Sequence, residues 1–373
     1  MNRLYSFVLL FFACFSFVLL AEEKHLVGGD VSLLPRYEQY KTPYYDQDGK
    51  QIDDVLLYMR DECGMNAMRV RLFVKPNASE AKDGVVQDLN YVKALGKRIK
   101  DAGLQFLLDF HYSDTWADPV SQKLPADWSD CTTAEQKAER VYSYTKDCLN
   151  ELKAAGAAPD FVQVGNEISY GMVGIQVHPY DVFSATIYPN LERDDWDGFL
   201  SVLTQGCKAV REACPAAKII IHTERAAKAD DTEYFYLKLK DLDYDIIGLS
   251  YYPIWHAPIS TLAGTLSQLE KSFPTKQVQI VETAYNYNYW PTSGVDYDTR
   301  KTWPCSAAGQ QQFIKDLITE LHNHDNVNGL YWWFPEENGN GGASWNANTI
   351  VINGWLNRGL WDNSSHKALP ALY

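Results

Sequence analysis

Two glutamates each follow a strand-like apolar run, at distant points of the chain. Glu167 comes just after the run FVQV and Glu282 directly after VQIV, so 115 positions separate them. A pair of carboxyl groups can cleave a glycosidic bond when one is protonated and donates to the departing oxygen. The other must be ionised, so that it attacks the anomeric carbon or activates water. Either residue alone fits a solvated loop carboxylate or a partner of Arg69 or Arg71, whereas the pair at two strand ends predicts this chemistry.

Eight short β-branched or apolar runs would position the two glutamates. They lie at 25–31, 67–74, 104–110, 161–166, 217–222, 244–250, 278–282 and 328–333. Helical patterns separate several of them, such as 86–102 and 133–155, and carry Gly or Pro near their ends. Eight strand and helix units predict an α/β fold, a single (β/α)8 TIM barrel with long βα loops. An open doubly wound sheet would need an early Gly-x-Gly-x-x-Gly turn, which Gly28-Gly29 does not make.

The carboxyl ends of the predicted strands are rich in polar and aromatic side chains. In a barrel the active site lies at that end, where strands four and seven face each other across the mouth. The residues there are Asp30, Ser32, Arg69, Arg71, Asp109, His111, Asp114, Trp116, Asp118, Asn166, Glu167, His222, Ser250, Tyr251, Tyr252, Trp255, Glu282, Trp332 and Trp333. Asp30, His111 and His222 are candidates for a metal cluster, but these residues form neither an HxH nor an HExxH spacing, so a catalytic metal is not indicated.

The composition is that of a globular protein with a neutral ligand. The chain has 373 residues, 46% of them hydrophobic, with neither a linker nor a repeat, so we expect one domain with a large core. A net charge of −14 disfavours nucleic acid and anionic membrane surfaces as partners. The 11 Trp, 24 Tyr and 15 Phe fill a large core and also supply flat rings that suit the apolar faces of sugars.

Residues 1–21 have the pattern of a secretory signal peptide, an early Arg followed by an apolar run. We therefore expect 22–373 to be the exported catalytic domain, secreted or held at the cell surface or in the periplasm. A retained N-terminal anchor is the less favoured alternative. Cys14 matches a lipoprotein cleavage site only loosely, so a membrane is a partner only if the chain is lipid-anchored there. Six further cysteines remain, and their pairing stays open.

Seven segments at the predicted strand ends occur together, in this order, in one known family. They are GGDVSLL (28–34), MRVRLFV (68–74), LLDFHYSDTWADP (107–119), VGNEI (164–168), IGLSYYPIW (247–255), VETAY (281–285) and YWWFP (331–335). On these segments the chain resembles glycoside hydrolase family 53, the endo-β-1,4-galactanases. HYSDTWADP together with Asn166-Glu167 is specific, whereas Asn-Glu alone is shared by a whole clan of retaining barrel hydrolases. The resemblance implies Glu167 as acid/base, Glu282 as nucleophile, and retention of the anomeric configuration.

The resemblance and the residue types together suggest roles around the two glutamates. Glu167 needs a raised pKa to be protonated, and Arg71 and Tyr252 would keep Glu282 ionised. Retention predicts a separation of about 5–5.5 Å between the two carboxyl groups. Asn166 is expected to hydrogen-bond the sugar 2-hydroxyl. The predicted substrate-binding residues are Asp30, Arg71, His111, Asp114, Trp116, Asp118, Asn166, His222, Tyr252 and Trp333.

For some of the aromatic and histidine residues, a structural role is an alternative to a role in binding. Trp116 and Trp333 are the predicted stacking platforms, whereas strand alternation turns Trp332 towards the core. His111 and His222 would orient the acid and the sugar, or lie in the core with satisfied hydrogen bonds.

The chain departs from the family pattern at two places. Phe334 stands where the family usually has the acid of Trp-Glu-Pro, so sugar contacts are expected to differ there. Some bacterial members hold calcium in the loop after the seventh strand, where this chain has only Asp296 and Asp298, so a structural Ca²⁺ stays open and unassigned. The resemblance implies a β-1,4-galactan polysaccharide as substrate, no cofactor for catalysis, and no obligatory protein partner.

Two other functions stay open at this point. The first is a clan relative that acts on mannan, xylan or glucan, because the subsite contacts that separate these sugars lie in loops. The second is a non-catalytic glycan-binding barrel, which the presence of both glutamates argues against.

Overall fold

The computed structural model describes residues 25–39, 41, 43–178, 194–291, 293–339 and 357–373. The predicted signal peptide, Cys14 and most of the long loop expected after the eighth strand lie outside the described residues. None of the helices within those ranges is long and apolar enough to cross a membrane.

Eight parallel strands close into a barrel. They are β1 Leu26–Asp30, β2 Ala67–Leu72, β3 Gln105–Phe110, β4 Phe161–Val164, β7 Lys218–Thr223, β8 Ile246–Tyr251, β9 Gln277–Thr283 and β10 Val327–Trp333. Their order around the barrel is β1-β10-β9-β8-β7-β4-β3-β2. Two further strands in the described part of the chain, β5 Gly171–Met172 and β6 Ile175–Gln176, form a small antiparallel hairpin after β4. The barrel and its eight predicted strands are confirmed, with ends that differ by two residues at most.

Helices follow the barrel strands and cover the outside of the sheet. In the described part of the chain the α-helices are α1 Leu34–Gln39, α2 Val55–Asp61, α3 Leu89–Asp101, α4 Ala134–Ala154, α5 Trp196–Ala213, α6 Ala229–Lys238, α7 Pro253–His256, α8 Ile259–Ser272 and α9 Ala307–Leu321. The start of α4 is fixed by a capping box between Thr133 and Gln136. Asp88 caps α3 by accepting the amide of Tyr91. Both helical patterns predicted from the sequence are therefore confirmed.

Strand alternation separates an apolar layer from a polar one. Met68, Val70 and Leu72 of β2 belong to the large apolar cluster that includes buried residues of the surrounding helices. A second, smaller cluster fills the lower barrel interior with Leu26, Ala67, Leu107, Ile220, Ile246, Val281 and Tyr331. Arg69 and Arg71 share the inward face of β2 with Ala67, nearer the carboxyl end. The apolar floor therefore carries a polar layer directly below the mouth of the barrel.

The cysteines of the described ranges are not paired with one another. Free thiols are found at Cys63, Cys131, Cys148, Cys207, Cys214 and Cys305. The stability of this barrel therefore comes from its core and hydrogen bonds rather than from bridges among these six.

Candidate active site

A cavity of about 370 Å³ opens at the carboxyl ends of the barrel strands. Its lining residues are His111, Trp116, Ala117, Asp118, Pro119, Asn166, Glu167, Glu224, Tyr252, Trp255, His256, Glu282 and Trp333. Both predicted catalytic glutamates are among them, together with six of the predicted substrate-binding residues. Asp30, Arg71, Asp114 and His222 do not line it.

A sharp turn after β4 brings Asn166 and Glu167 to the cavity wall. Gly165 has a φ of +89°, and a Cβ at this position would lie 2.6 Å from the Ile168 side chain. Glu167 itself adopts the left-handed conformation, with φ 47° and ψ 51°. Such a conformation costs a residue other than glycine about 1–3 kcal/mol and is concentrated at functional sites. The backbone here is strained at the residue that the sequence marks as the acid.

A β-bulge in β9 turns Glu282 into the barrel. β8 and β9 pair residue by residue up to Leu249 and Ile280, but the next pair is Ser250 with Glu282, so Val281 is an extra residue. The pairing of β9 with β10 shifts at the same place. Bulges re-aim side chains beside active sites, and strict alternation without one would turn Glu282 to the outer face.

Two donors contact the two oxygens of Glu282. Nη2 of Arg69 lies 2.9 Å from Oε1, and the Tyr252 hydroxyl donates to Oε2 at 2.8 Å. Burial raises the pKa of Glu282, while the Arg69 guanidinium and the Tyr252 hydroxyl oppose that rise. A cation and a hydroxyl on opposite oxygens favour the ionised form, which a nucleophile needs.

The partner of Glu282 is Arg69, so the prediction of Arg71 in this position is wrong. Arg71 pairs with Asp30 at 3.0 Å, and its guanidinium carbon lies 4.5 Å from the centre of the Trp116 ring. The two arginines are two residues apart on β2 and share its inward face, but Arg71 lies nearer the mouth. Its charge therefore supports the aromatic wall rather than the nucleophile.

Glu167 has a different set of neighbours. The Ser250 hydroxyl donates to Oε1 at 2.6 Å. Burial raises the pKa of Glu167 well above its ordinary value, and the charges of Glu282 and Glu224 add to the rise. A raised pKa keeps a carboxyl group protonated near neutral pH, which is what a general acid requires. Burial raises the pKa of both carboxyl groups, but the Arg69 cation opposes the rise at Glu282, so a proton shared by the pair is held by Glu167.

Asn166 and the two histidines form the polar layer around the glutamates. Nδ2 of Asn166 donates to the Ala117 carbonyl at 2.8 Å, and Oδ1 accepts from Arg69 at 2.9 Å. His111 lines the cavity and accepts the Ala117 amide on Nδ1 at 3.0 Å. His222 is fully buried below it, with Nε2 2.8 Å from the Ser250 hydroxyl. His222 does not line the cavity, so it acts on the site through its protein neighbours, Ser250 among them, and not by touching a ligand.

Aromatic rings form one wall of the cavity. Trp116 and Trp333 lie 6.1 Å apart between ring centres. Phe334, the ring that replaces the usual family acid, stacks on Trp333 at 4.5 Å between ring centres and does not itself line the cavity. Trp332 points the other way and donates through Nε1 to the carbonyl of Arg358 at 2.8 Å. The expectation that Trp332 packs outside the site is confirmed.

The three predicted aspartates have different positions. Asp30 is fully buried between Arg69 and Arg71, at 2.8 and 3.0 Å. Asp114 accepts backbone amides on both oxygens and so holds the loop after β3. Asp118 lines the cavity, where burial raises its pKa. Only Asp118 stands where a sugar hydroxyl can reach it.

Glu224 lines the cavity as a fourth carboxyl group, beside Glu167, Glu282 and Asp118, and was not predicted from the sequence. Its Oε2 accepts the Ser169 hydroxyl at 2.5 Å, and burial raises its pKa. Glu224 lies two residues beyond His222, so continuing the alternation of β7 past the strand end would have placed it on the inward face. Trp255 and His256 on α7 also line the cavity; Trp255 was among the predicted strand-end residues but was given no role, and His256 was not predicted.

The described ranges contain no group of three or more His, Cys, Asp or Glu side chains that could hold a metal ion. In the loop after β9, Asp298 pairs with Arg300 at 2.6 Å. The Asp298 carboxylate is therefore already paired with a cation of the chain.

Comparisons with known proteins agree with this geometry. The family model described as glycosyl hydrolase family 53 matches residues 26–373. The arabinogalactan endo-β-1,4-galactanase of Cellvibrio japonicus is 31% identical over 365 residues, which cover 92% of this chain and 89% of the relative. An uncharacterised protein of Niallia circulans is 34% identical over 326 residues, 85% of each chain. The solved catalytic domain of this family from Ignisphaera aggregans has a TM-score of 0.78 at 28% identity, covering 95% of this chain and 96% of that one.

Proposed function

The chain belongs to glycosyl hydrolase family 53, and we propose that it is an endo-β-1,4-galactanase that cleaves internal bonds of (arabino)galactan with retention of configuration. The observation that carries this proposal is the unequal surroundings of two carboxyl groups in one cavity. Glu282 has Arg69 and Tyr252 on its oxygens, whereas Glu167 has a single hydroxyl, from Ser250.

In the first step the Glu282 carboxylate attacks the anomeric carbon of the bound galactosyl unit. The bond from that carbon to the glycosidic oxygen breaks, and Glu167 gives its proton to this oxygen. The product is an ester between Glu282 and the sugar, while the reducing-side fragment departs as an alcohol. Because the ester carries no charge, the raising effect of Glu282 on the pKa of Glu167 then disappears.

In the second step Glu167, now ionised, takes a proton from water. The water oxygen attacks the anomeric carbon and releases Glu282 as a carboxylate. Two inversions at the same carbon give net retention. A separation of about 5–5.5 Å between the carboxyl groups belongs to this mechanism, and about 6.5–9.5 Å would belong to inversion.

The remaining predicted residues bind the polysaccharide. Trp116 and Trp333 present aromatic faces to the galactosyl rings, and Asn166 donates to the 2-hydroxyl through Nδ2. His111 and Asp118 contact further hydroxyl groups. No cofactor takes part in catalysis, no protein partner is required, and the proposal assigns no ligands to a structural Ca²⁺.

The chain is an exported enzyme. The proposal rests on the signal-like pattern of 1–21, which leaves 22–373 as the catalytic domain. N-terminal analysis of the protein purified from its own cells should find the chain starting near residue 22 and outside the cytoplasm. A chain that keeps residues 1–21 would contradict the cleavage, and lipid on Cys14 would indicate an anchored form.

A reducing-sugar assay with product sizing tests the proposed function. Linear β-1,4-galactan, mannan, xylan and a mixed-linkage glucan are compared for the parent, Glu167→Gln and Glu282→Gln, with exposed Glu62→Gln as matched control. We expect oligosaccharides of mixed length from galactan alone, with both site variants reduced by at least about 10³-fold. Cleavage of another glycan would overturn the substrate, and full activity of either site variant would overturn the mechanism.

A further inference from the structure

Ser250 links a buried histidine to the proposed acid. Its Oγ lies 2.8 Å from Nε2 of His222 and 2.6 Å from Oε1 of Glu167. Ser250 is fully buried, does not line the cavity and stands opposite Glu282 in the pairing of β8 with β9. It therefore contacts the acid from the protein side, where no substrate atom reaches.

The proton on His222 can be assigned from its neighbours. Nδ1 faces the backbone N–H of Glu167 at 3.3 Å and Nε2 of Gln163 at 3.0 Å. The Gln163 atom is the amide nitrogen, because it also lies 2.5 Å from a carboxylate oxygen of Asp109. Asn166 Oδ1 also lies 3.2 Å from Nδ1, but the backbone N–H of Glu167 can only donate, which requires a lone pair on Nδ1. Two donors aimed at Nδ1 make it an acceptor, so the ring proton is on Nε2.

The direction of the remaining hydrogen bonds follows. Nε2–H of His222 donates to Ser250, and the Ser250 hydroxyl proton is left to donate to Oε1 of Glu167. Burial lowers the pKa of His222 well below its ordinary value, and the Arg69 charge adds to this, so the ring stays neutral and the chain does not reverse.

We infer that Ser250, held by His222, is a positioning residue that keeps Oε1 of Glu167 as an acceptor and so confines the catalytic proton to Oε2. The inference rests on the proposed role of Glu167 as acid/base. Confining the proton to one oxygen fixes the direction from which the glycosidic oxygen receives it, and the same Oε2 takes the proton back from water in the second step.

The other carboxyl groups that face Glu167 all shift its pKa in the same direction. Glu282 on β9, Glu224 after β7 and Asp118 in the loop after β3 all raise its pKa by their charge. Tyr252 also lies close, and its own pKa is raised by burial and by Glu282. Of the groups that shift the pKa of Glu167 in a resolved direction, only Ser250 lowers it, because its hydroxyl stabilises the ionised form.

Ser250→Ala is the test variant, with Ser250→Thr to restore a hydroxyl. Thr223→Val is the matched control, because it removes a buried hydroxyl from the outward face of β7, where it contacts Tyr236. Rates are measured against pH on galactan and on two aryl β-galactobiosides, one with a leaving group that needs protonation and one with 2,4-dinitrophenolate, which does not.

For Ser250→Ala we expect the alkaline limb of kcat/KM to move to higher pH by about one unit, since a charge-stabilising hydrogen bond is lost. The kcat on galactan should fall about tenfold with an unchanged KM, while formation of the ester from the dinitrophenyl substrate changes less than about twofold. Ser250→Thr should return the alkaline limb of kcat/KM and the kcat on galactan towards the values of the parent. If the alanine variant does not fold, Ser250→Cys, with its weaker donor, should show an intermediate shift.

A parent-like pH profile and leaving-group dependence in Ser250→Ala would overturn the inference. Glu167→Ala with added azide separates this from failure of the proposed function. Azide should restore turnover and yield a β-galactobiosyl azide if Glu167 is the acid/base. If azide rescues Glu167→Ala while Ser250→Ala has a parent-like pH profile, only the role of Ser250 is rejected. If Glu167→Ala is fully active without azide, the role of Glu167 is rejected as well.

Discussion

Replacing Tyr252 by phenylalanine should move the acidic limb of the pH profile. The Tyr252 hydroxyl donates to Oε2 of Glu282 at 2.8 Å inside a buried site. A hydrogen bond to a charged group contributes about 1.5–3 kcal/mol, which corresponds to about 1–2 pKa units. Because the hydroxyl stabilises the ionised form, its loss raises the pKa of Glu282. The acidic limb of kcat/KM on galactan should therefore shift to higher pH by about 1–2 units.

Tyr251→Phe is the matched control. Its hydroxyl is as deeply buried but donates to the Ala257 carbonyl at 2.9 Å, outside the cavity. The two glutamates titrate as a pair, so the whole profile is compared rather than one fitted value. A Tyr252→Phe profile that superimposes on those of the parent and Tyr251→Phe would refute the reasoning that this hydroxyl stabilises the nucleophile.

Three further predictions follow from contacts in and below the cavity. Arg69→Met removes a cation that three buried carboxylates share, and only Asp30 keeps a second arginine, Arg71. The free energy of unfolding in urea should therefore fall by about 3–5 kcal/mol, and Arg69→Lys should lose less. A parent-like unfolding midpoint would contradict this. Trp116→Ala should raise KM on galactan by up to about tenfold with kcat near that of the parent, because an aromatic contact contributes about 0.5–1.5 kcal/mol. An unchanged KM would show that Trp116 does not bind the substrate. Chelation by EDTA should leave kcat unchanged, whereas a loss that Ca²⁺ reverses would reveal a metal site that the described residues do not show.

The positions of the strands and of the two glutamates could be read from the sequence because they depend on local pattern. Each barrel strand is a short apolar run, and the carboxyl ends of parallel strands meet at one end of the barrel. Glu167 was predictable as a residue just past a strand end. Glu282 was predictable by position, but the bulge that turns it inward has no sequence signal of its own here.

The prediction named Arg71 as the partner of Glu282, where the structure has Arg69. This difference shows what strand alternation alone cannot predict. Residues two apart on a strand share a face, but which of them reaches a partner across the barrel depends on the stagger of the strands and the depth of each layer. The same limit explains Asp30, which faces inward but lies below the cavity, between the two arginines. The sequence predicts which face of a strand a residue occupies, but it does not predict how deep in the barrel its side chain lies.

The roles of Ser250 and Glu224 were missed for different reasons. Ser250 was among the polar residues at the strand ends but was assigned no role, because a serine at the end of an apolar strand is common and carries no charge. Glu224 was not among those residues, because a glutamate in a loop is usually solvated. It shares the inward face with His222, two positions away, so continuing the alternation of β7 one step past the strand end would have added it to the candidates.

Proton NMR of the first product released from linear β-1,4-galactan tests the central claim most directly. Spectra taken within the first turnovers, before the anomers equilibrate, report the configuration at the new reducing end. The proposed roles of Glu282 and Glu167 predict that the β-anomer appears first and the α-anomer only later, by mutarotation. An α-anomer that appears first would show a single displacement by water and would contradict Glu282 as the nucleophile.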